Sequence, residues 1–491
     1  MTYISSLLNR ITMYRLALLV LLGYIIIAVI ESFFGILPFN PLDIALQVLY
    51  LVIVSALLNR MFSKIFNAVI NKESATITAL ILSLIVGPVD FSRHIVLLTL
   101  LALLATASKY ILAIKKRHVF NPAALAVTLA AILGWFGASW WVGNLPLIFF
   151  TTLGGFLILA KVKRFTLVAT FLVVYLIALA FSGLDVVSLL IYSPIVFFAT
   201  VMLIEPLTSP VETNKQMAYA VFVAIALISF QQYLGVGYTL ELALLAGNVF
   251  FYMISSPFRT TLTLKAKKKL AESTFAFYFE KDIHFDFKPG QFMHWTLPQR
   301  NSDAKGVRRY FTIASSPTEE YIMIATKIPE KDTSSFKKTL ENFNNGDKIV
   351  AMDAAGEFLL PNDKSIPLTF VAGGIGITPF ASMAKYLLDK KESRDIHVLY
   401  SNSRQEDIAF KDLFDEAEKV GIKTDYIITE KEGYLDEKKI KERVQDWEKR
   451  IYYISGPQPM VEIFKKMLLK MKVRGIKTDF FPGYTETHQK K

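Results

Sequence analysis

Three short segments in the carboxyl-terminal half hold residue types that can grip a phosphorylated redox cofactor. They are Arg309-Tyr310-Phe311-Thr312, Gly356-Glu357-Phe358, and Gly373-Gly374-Ile375-Gly376-Ile377-Thr378-Pro379. A guanidinium at Arg309 neutralises a diphosphate through paired, charge-assisted hydrogen bonds. The Phe311 ring offers a flat apolar face to a ring system, and the Thr312 hydroxyl can bond a ring nitrogen. The glycines follow the strand-like run Leu368-Thr369-Phe370-Val371-Ala372 and precede a helical pattern from Pro379 to Leu388. A turn of that composition lets backbone N–H groups approach a phosphate at the helix N-terminus. Pro379 suits the first helical turn. Each segment alone is also found in ordinary strands and turns. Their order along one stretch of chain is the signal.

These segments need a scaffold. Alternating patterns predict strands at Thr274–Phe279, Gln291–Leu297, Tyr321–Lys327 and Lys348–Met352, which suits an antiparallel barrel. From Leu368 the pattern becomes strand–helix–strand, as in a parallel sheet. On these residues, the stretch from about Thr260 to Tyr484 resembles the ferredoxin–NADP reductase superfamily. Arg309-Tyr310-Phe311-Thr312 matches its flavin motif, with Phe in place of Tyr. Residues 373–379 match its nicotinamide motif. Ser455-Gly456-Pro457-Gln458-Pro459-Met460 matches its late motif, with Ser in place of Cys. The resemblance implies a FAD-binding barrel over 260–363 and an NAD(P)-binding α/β domain over 364–491. It implies FAD and NAD(P)H as cofactors, with Thr312 near the accepting ring nitrogen. Ser335, Gly456, Pro457 and Met460 join the cofactor-binding set on the same grounds. Ser401, Ser403 and Arg404 follow the second strand, where they can hold a 2′-phosphate or serve as surface residues. Phe480, Phe481 and Tyr484 lie where the superfamily keeps an aromatic over the flavin, and Phe481 is carried as the candidate.

Composition divides the 491 residues in two. Hydrophobic residues make up 53% and the mean hydropathy is +0.40, as for a membrane protein with a soluble part. There is no cysteine, which excludes a cysteine-ligated iron–sulfur cluster and any disulfide. Of the net +12 charge, residues 1–259 contribute 15 Lys/Arg against 8 Asp/Glu, and that excess lies between hydrophobic runs. This is the pattern of membrane topology rather than of nucleic-acid binding. Ten helices are predicted, at about 16–34, 42–58, 75–89, 93–113, 121–137, 145–160, 165–182, 187–204, 217–234 and 238–257, several of them short for a bilayer. Arg60, Lys115, Lys116, Arg117, Lys161, Lys163, Arg164 and Lys215 fall in alternate connections, and Glu31, Asp90 and Asp185 in the opposite ones. Both termini and the FAD/NAD domains are thereby expected in the cytoplasm, on a multi-pass protein of the cytoplasmic membrane. The run Lys265-Ala266-Lys267-Lys268-Lys269 opens the second half and suits either anionic headgroups or a solvated strand edge.

Two segments of the first half carry polar residues in apolar surroundings: Lys116-Arg117-His118-Val119-Phe120-Asn121-Pro122 and Glu205-Pro206-Leu207-Thr208-Ser209-Pro210. Both also read as helix punctuation. They resemble the NqrB/RnfD family of membrane subunits, which show these two segments in the same order on ten helices. That resemblance implies a transmembrane domain over 1–259 that takes part in electron transfer. It makes His118, Asn121, Pro122, Glu205, Thr208 and Ser209 the candidates there. The family holds FMN on a threonine of a Ser-Gly-Ala-Thr segment. The corresponding connection here is Ser139-Trp140-Trp141-Val142-Gly143-Asn144, without a threonine. The expectation is therefore a noncovalent FMN or riboflavin, or a bound quinone, and an interfacial role for the two tryptophans. His94 and His118 are too few for a two-haem ferric reductase or oxidase, the competing reading. A transporter regulated by a redox domain is a third. Glu241 is the one carboxylate well inside a predicted span. The expected activity is NAD(P)H oxidation by a membrane flavoprotein. Its expected partners are the lipid bilayer, a quinone or other acceptor, and further electron-transfer subunits.

Overall fold

The computed structural model describes residues 11–66, 72–114, 117–135, 137–182, 194–234, 236–255, 259–281, 285–297, 307–330 and 333–479. The chain divides into two compact units, Met1–Pro257 and Phe258–Lys491.

The first unit is helical: α1 (Met13–Phe33), α2 (Pro41–Ile65), α3 (Lys72–Ile85), α4 (Phe91–Ile111), α5 (Pro122–Ile132), α6 (Ile148–Val162), α7 (Phe165–Ser182), α8 (Thr213–Tyr233) and α9 (Thr239–Ser255). Among the described residues, six helices are long and apolar enough to cross a membrane, and α3, α5 and α9 are shorter apolar ones. The first seven residues of the predicted helix at 187–204 lie outside the described residues. Its described end is a helical turn, Ile195–Phe197, that widens into a π-turn at Phe198–Met202.

Local chemistry sets the helix ends. Asn40 caps α2 by accepting from Leu42 N, with Pro41 in its first turn. Helix α3 stops at Ile85 because Gly87 and Pro88 follow, short of the predicted 89. Helix α5 stops at Ile132, not 137. There Gly134 takes φ 72° and Trp135 N–H donates to Ala130 O, a glycine-terminated helix end. The polarity of α2 is inverted. It buries Gln47, Leu51, Ser55, Asn59 and Ser63, each four residues apart, and exposes Leu49, Ile53, Leu57 and Met61. A helix in water does the reverse. Gln47 is satisfied internally. Its amide donates to Val86 O at 3.3 Å, and its carbonyl accepts from Val89 N at 3.2 Å.

The second unit opens with six antiparallel strands: β1 (Arg259–Ala271), β2 (Thr274–Glu280), β3 (Phe292–Thr296), β4 (Arg308–Thr312), β5 (Tyr321–Lys327) and β6 (Lys348–Ala355). Their order is β4-β3-β6-β1-β2-β5. Just past β4, Ala314 N–H donates to Met323 O on β5 at 2.8 Å, so the sheet curls until its two edges touch. Phe277, Phe279, Met293, Trp295, Ile324 and Ile349 fill the interior. The lysines of β1 have partners within the unit, as on a solvated strand edge. Lys265 pairs with Glu280 at 3.0 Å, Lys267 donates to Glu341 O at 2.6 Å, and Lys268 lies over Tyr278.

Five parallel strands follow: β7 (Leu368–Gly373), β8 (Ile396–Asn402), β9 (Ile422–Ile428), β10 (Ile451–Ser455) and β11 (Gly475–Thr478), in the order β9-β8-β7-β10-β11. β7 is buried along its whole length, as the central strand of a covered parallel sheet must be.

Phe277 is fully buried in the barrel. Phe277→Ala is expected to destabilise the second unit by about 3–5 kcal/mol. A thermal unfolding midpoint unchanged in the full-length protein would contradict this packing.

Candidate active site

The order of the parallel sheet places a crevice. The chain runs from β7 outward through β8 to β9, then returns to lay β10 on the other side of β7. At such a reversal the turns leaving two neighbouring strands part, and ligands bind outside their carboxyl ends. The turn after β7 is Gly373–Ile377, leading into α11 (Thr378–Lys390); the turn after β10 is Gly456-Pro457, leading into α12 (Gln458–Met471). The two are in contact. A Cβ on Gly376 would lie 2.4 Å from Ser455 O, and one on Gly373 would lie 2.3 Å from Met460 Sδ. Gly374 has φ 52° and nothing within 4 Å of a Cβ position, so that face of the turn is open. Gly373, Gly374, Gly376, Gly456, Pro457 and Met460 thus share one place. Thr378 and Pro379 start α11, with Thr378 Oγ1 donating to Ile375 O.

The barrel brings its own segment to this crevice. Arg309 is buried on β4, with its guanidinium 5.3 Å above the Phe336 ring and Nη1 donating to Arg308 O. Phe336 follows Ser335, which starts the short helix α10 (Ser335–Glu341), and also meets Phe311 at 5.7 Å. The structure therefore gathers Arg309, Phe311 and the Ser335 turn. Tyr310 stacks on His294 at 4.8 Å. Thr312 pairs with Phe292 in the ladder and is buried. Ser315, three residues on, joins barrel to sheet: its carbonyl accepts from Ser382 Oγ of α11 at 2.6 Å. Gly356 has φ 116°, which disfavours a side chain, and a Cβ there would lie 3.0 Å from the Phe292 ring. Glu357 is exposed. Phe358 is a core residue, packed on Phe380 and Tyr453 beneath the parallel sheet.

Ser401 pairs with Gly373 across β8 and β7, at the rim of the crevice. Arg404 is exposed and already engaged, 3.1 Å from Glu430 and 3.8 Å from Glu406. A 2′-phosphate would have to displace two carboxylates there. Phe481 lies outside the described residues.

Residues 370–466 match the family model of the oxidoreductase NAD-binding domain. The chain is similar to the glycine betaine monooxygenase reductase subunit of Chromohalobacter salexigens, at 27% identity over 40% of this chain and 55% of the relative. It is similar to flavohemoprotein A of Dictyostelium discoideum, at 25% identity over 43% of this chain and 58% of the relative. The chain spans about half the length of the curated relatives it matches. Among solved structures, a ferredoxin NADP+ reductase from Neisseria gonorrhoeae with bound FAD and NADP is 16% identical. It aligns with 45% of this chain and 99% of its own, with a TM-score of 0.39. The second unit carries an oxidoreductase NAD-binding domain over residues 370–466, and the groups expected from its sequence are FAD and NAD(P)H. The residues fit those groups. A buried guanidinium stands beside aromatic rings, and glycines leave an open crevice against a helix N-terminus.

The first unit gathers the other candidates. Asn121 Nδ2 donates to Glu205 Oε2 at 2.8 Å, Thr208 Oγ1 donates to the same oxygen at 3.1 Å, and His118 Nε2 lies 3.5 Å from Glu205 Oε1. Ser209 Oγ donates to Glu205 O. Asn121 also caps α5, accepting from Ala123 N and Ala124 N, with Pro122 in the first turn. Burial opposes the Glu205 charge, and His118, Lys109 and Thr208 outweigh it, holding the carboxyl below its usual range. The sequence did not single out Arg117, Arg164 or Asn248 for this cluster. Arg117 donates twice to Leu207 O, Arg164 donates to Ser209 Oγ, and Asn248 bonds Asn121 N and Thr208 O. The two arginines count equally as topology charges in the sequence; an asparagine inside apolar α9 was the available signal. His94 bonds the Asp90 carbonyl of its own turn.

Gly376→Ala is expected to lower kcat/KM for NAD(P)H about a hundredfold while leaving FAD bound. Steady-state kinetics beside flavin absorbance test this. Glu430→Gln with Glu406→Gln releases Arg404 and is expected to raise kcat/KM for NADPH relative to NADH about fivefold. An unchanged ratio would remove Arg404 from coenzyme choice.

Proposed function

We propose that the whole chain is a membrane-bound flavoprotein that oxidises NAD(P)H and passes the electrons into or across the cytoplasmic membrane. The acceptor is a quinone, a membrane flavin or an external oxidant. The observation that carries this reading is the joining, in one chain, of inverted-polarity helices to a nicotinamide crevice. Apolar stripes such as Leu49, Ile53 and Leu57 on α2, and Val173, Ile177 and Phe181 on α7, are exposed. Patches of this kind are rare on monomers in water and natural against lipid chains. The charge alternation between helices supports a cytoplasmic second unit, where NAD(P)H is found. The gathering of His118, Asn121, Glu205, Thr208 and Ser209 supports a domain of the NqrB/RnfD kind, with about ten helices. The similar reductase subunit is named for a monooxygenase and flavohemoprotein A for a haem; in this reading the helices take that place.

FAD held there would supply two-electron acceptance from NAD(P)H and one-electron release. The chain supplies position and charge. Arg309 would hold the cofactor diphosphate, with Ser335 close by, and Phe311 would offer its face to the ring system. Thr312 would bond a ring nitrogen. The turns at Gly373–Thr378 and Gly456–Met460 hold the nicotinamide nucleotide. The Ser382–Ser315 hydrogen bond fixes the nucleotide sheet against the barrel, so that both cofactors meet in one orientation.

Flavin content of the detergent-purified protein, before and after acid precipitation, tests the reading. One releasable FAD per chain is expected, with NAD(P)H turnover supported by a ubiquinone analogue. Arg309→Ala is expected to lower FAD occupancy at least about tenfold. Folded protein without flavin would overturn the reading, and a second flavin left on the precipitate would show a covalent one in the helical unit.

A further inference from the structure

Glu241 lies in the first turn of α9 and is fully buried. Its Oε1 accepts from Trp140 Nε1 at 2.9 Å, while Oε2, also buried, has no hydrogen-bond partner among the described residues. The tryptophan pair, expected in an interfacial role, packs inside the unit. Both are buried, and Trp141 Nε1 donates to Ser83 O and Val86 O at the end of α3. Trp140 has φ 47° and ψ 38°, the left-handed region that a bulky side chain rarely enters. Trp140 N–H and Ser139 N–H both donate to Ile85 O, which holds this backbone in place. Phe197 and Phe198 close around the Trp140 ring at 6.3 and 6.1 Å. Irregular backbone is thus folded into the interior between the ends of three short helices, and it aims an indole N–H at one carboxyl. In membrane proteins such interior breaks mark sites rather than connections.

We infer that Glu241 is a proton-exchanging carboxyl of the first unit: Oε2 takes a proton from water and returns it, while Trp140 holds Oε1. The step is a plain acid–base exchange, in which carboxylate and hydronium become carboxylic acid and water. Both charge states have support. Oε2 meets no donor among the described residues and is free to carry a proton. The indole donor and the start of a helix favour the charged one. Among the described residues, no countercharge pairs with Glu241. On the elements packed round Glu241, Lys72 and Glu73 start α3, Lys215 starts α8, and Glu205 lies with His118 and Lys109 in the cluster at Asn248, seven residues along α9. Asp90, Arg93 and His94 begin α4 and bond among themselves at the surface. A cation would need several oxygen ligands, and no group of three carboxylate or histidine side chains occurs among the described residues. A proton needs one. The inference deepens the proposed function: an electron entering this unit adds negative charge, and proton uptake at Glu241 offsets it.

Infrared difference spectra of the full-length protein in detergent test the site. Between acid and alkaline buffer, without any reductant, the wild type is expected to show a protonated-carboxyl stretch that Glu241→Gln lacks. Trp140→Phe is expected to shift that band, because Oε1 loses its donor. NADH oxidation by ferricyanide shows that each variant is folded, with rates expected within about twofold of wild type. Identical acid-minus-alkaline spectra for wild type and Glu241→Gln would overturn the inference. The NADH-reduced minus oxidised spectrum is read separately. The same band there shows uptake linked to reduction. Its absence, with the pH-driven band present, would sink the electron path into this unit and leave the proton site standing.

Discussion

Two parallel strands that leave the same sheet in opposite directions cannot both cover their carboxyl ends. That topological constraint, at β7 and β10, makes the crevice on which the rest of the second unit depends. The barrel contributes only because it is moored to this point. Ser315 ends the segment that begins at Arg309, and its carbonyl receives the hydroxyl of Ser382 from the helix that starts at the glycine turn. Lys327 on β5 reaches Asp407, and Thr318 reaches Asp389, so the mooring has more than one line. The flavin and nicotinamide segments therefore belong to one rigid arrangement, although some sixty residues separate them in the chain.

The first unit solves the opposite problem. Its helices carry polar residues inward, and each must find a partner without water. Gln47 finds the broken end of α3, and Tyr110 donates to Asn59 at 2.8 Å. Glu205 gathers the side chains of two distant segments. Buried polar groups are costly when half satisfied, so such networks fix helix register as firmly as packing does. Among the described residues, Ser55 Oγ, Thr128 Oγ1 and Glu241 Oε2 are buried without such a partner, and of these three only Glu241 can carry a charge.

Much of this was legible in the residues, and the reasons differ by place. The barrel and parallel-sheet strands announced themselves through alternation and through apolar runs bounded by glycine. The glycine turns were readable because their spacing is local. The polar segments of the first unit were readable as candidates, and their convergence on Glu205 came only with the fold. What sequence reasoning missed was set by distant contacts. Phe358 sits beside a motif glycine yet packs into the core under Phe370 and Tyr453. Arg404 is neutralised by Glu430, twenty-six residues on. Trp140 and Trp141 looked interfacial because indoles favour that depth, but their N–H groups found acceptors inside. Helices α3 and α5 ended early because a proline and a left-handed glycine outweighed the apolar residues beyond them.

Gly374 and Gly376 are two residues apart, and each excludes a side chain for a different reason. At Gly374 the space is free and the torsion forbids; at Gly376 the torsion is ordinary and the Ser455 carbonyl fills the space. One glycine encodes an angle and the other a volume. The short run between strand and helix thus stores two independent pieces of geometric information, and a residue that satisfied one demand would still violate the other.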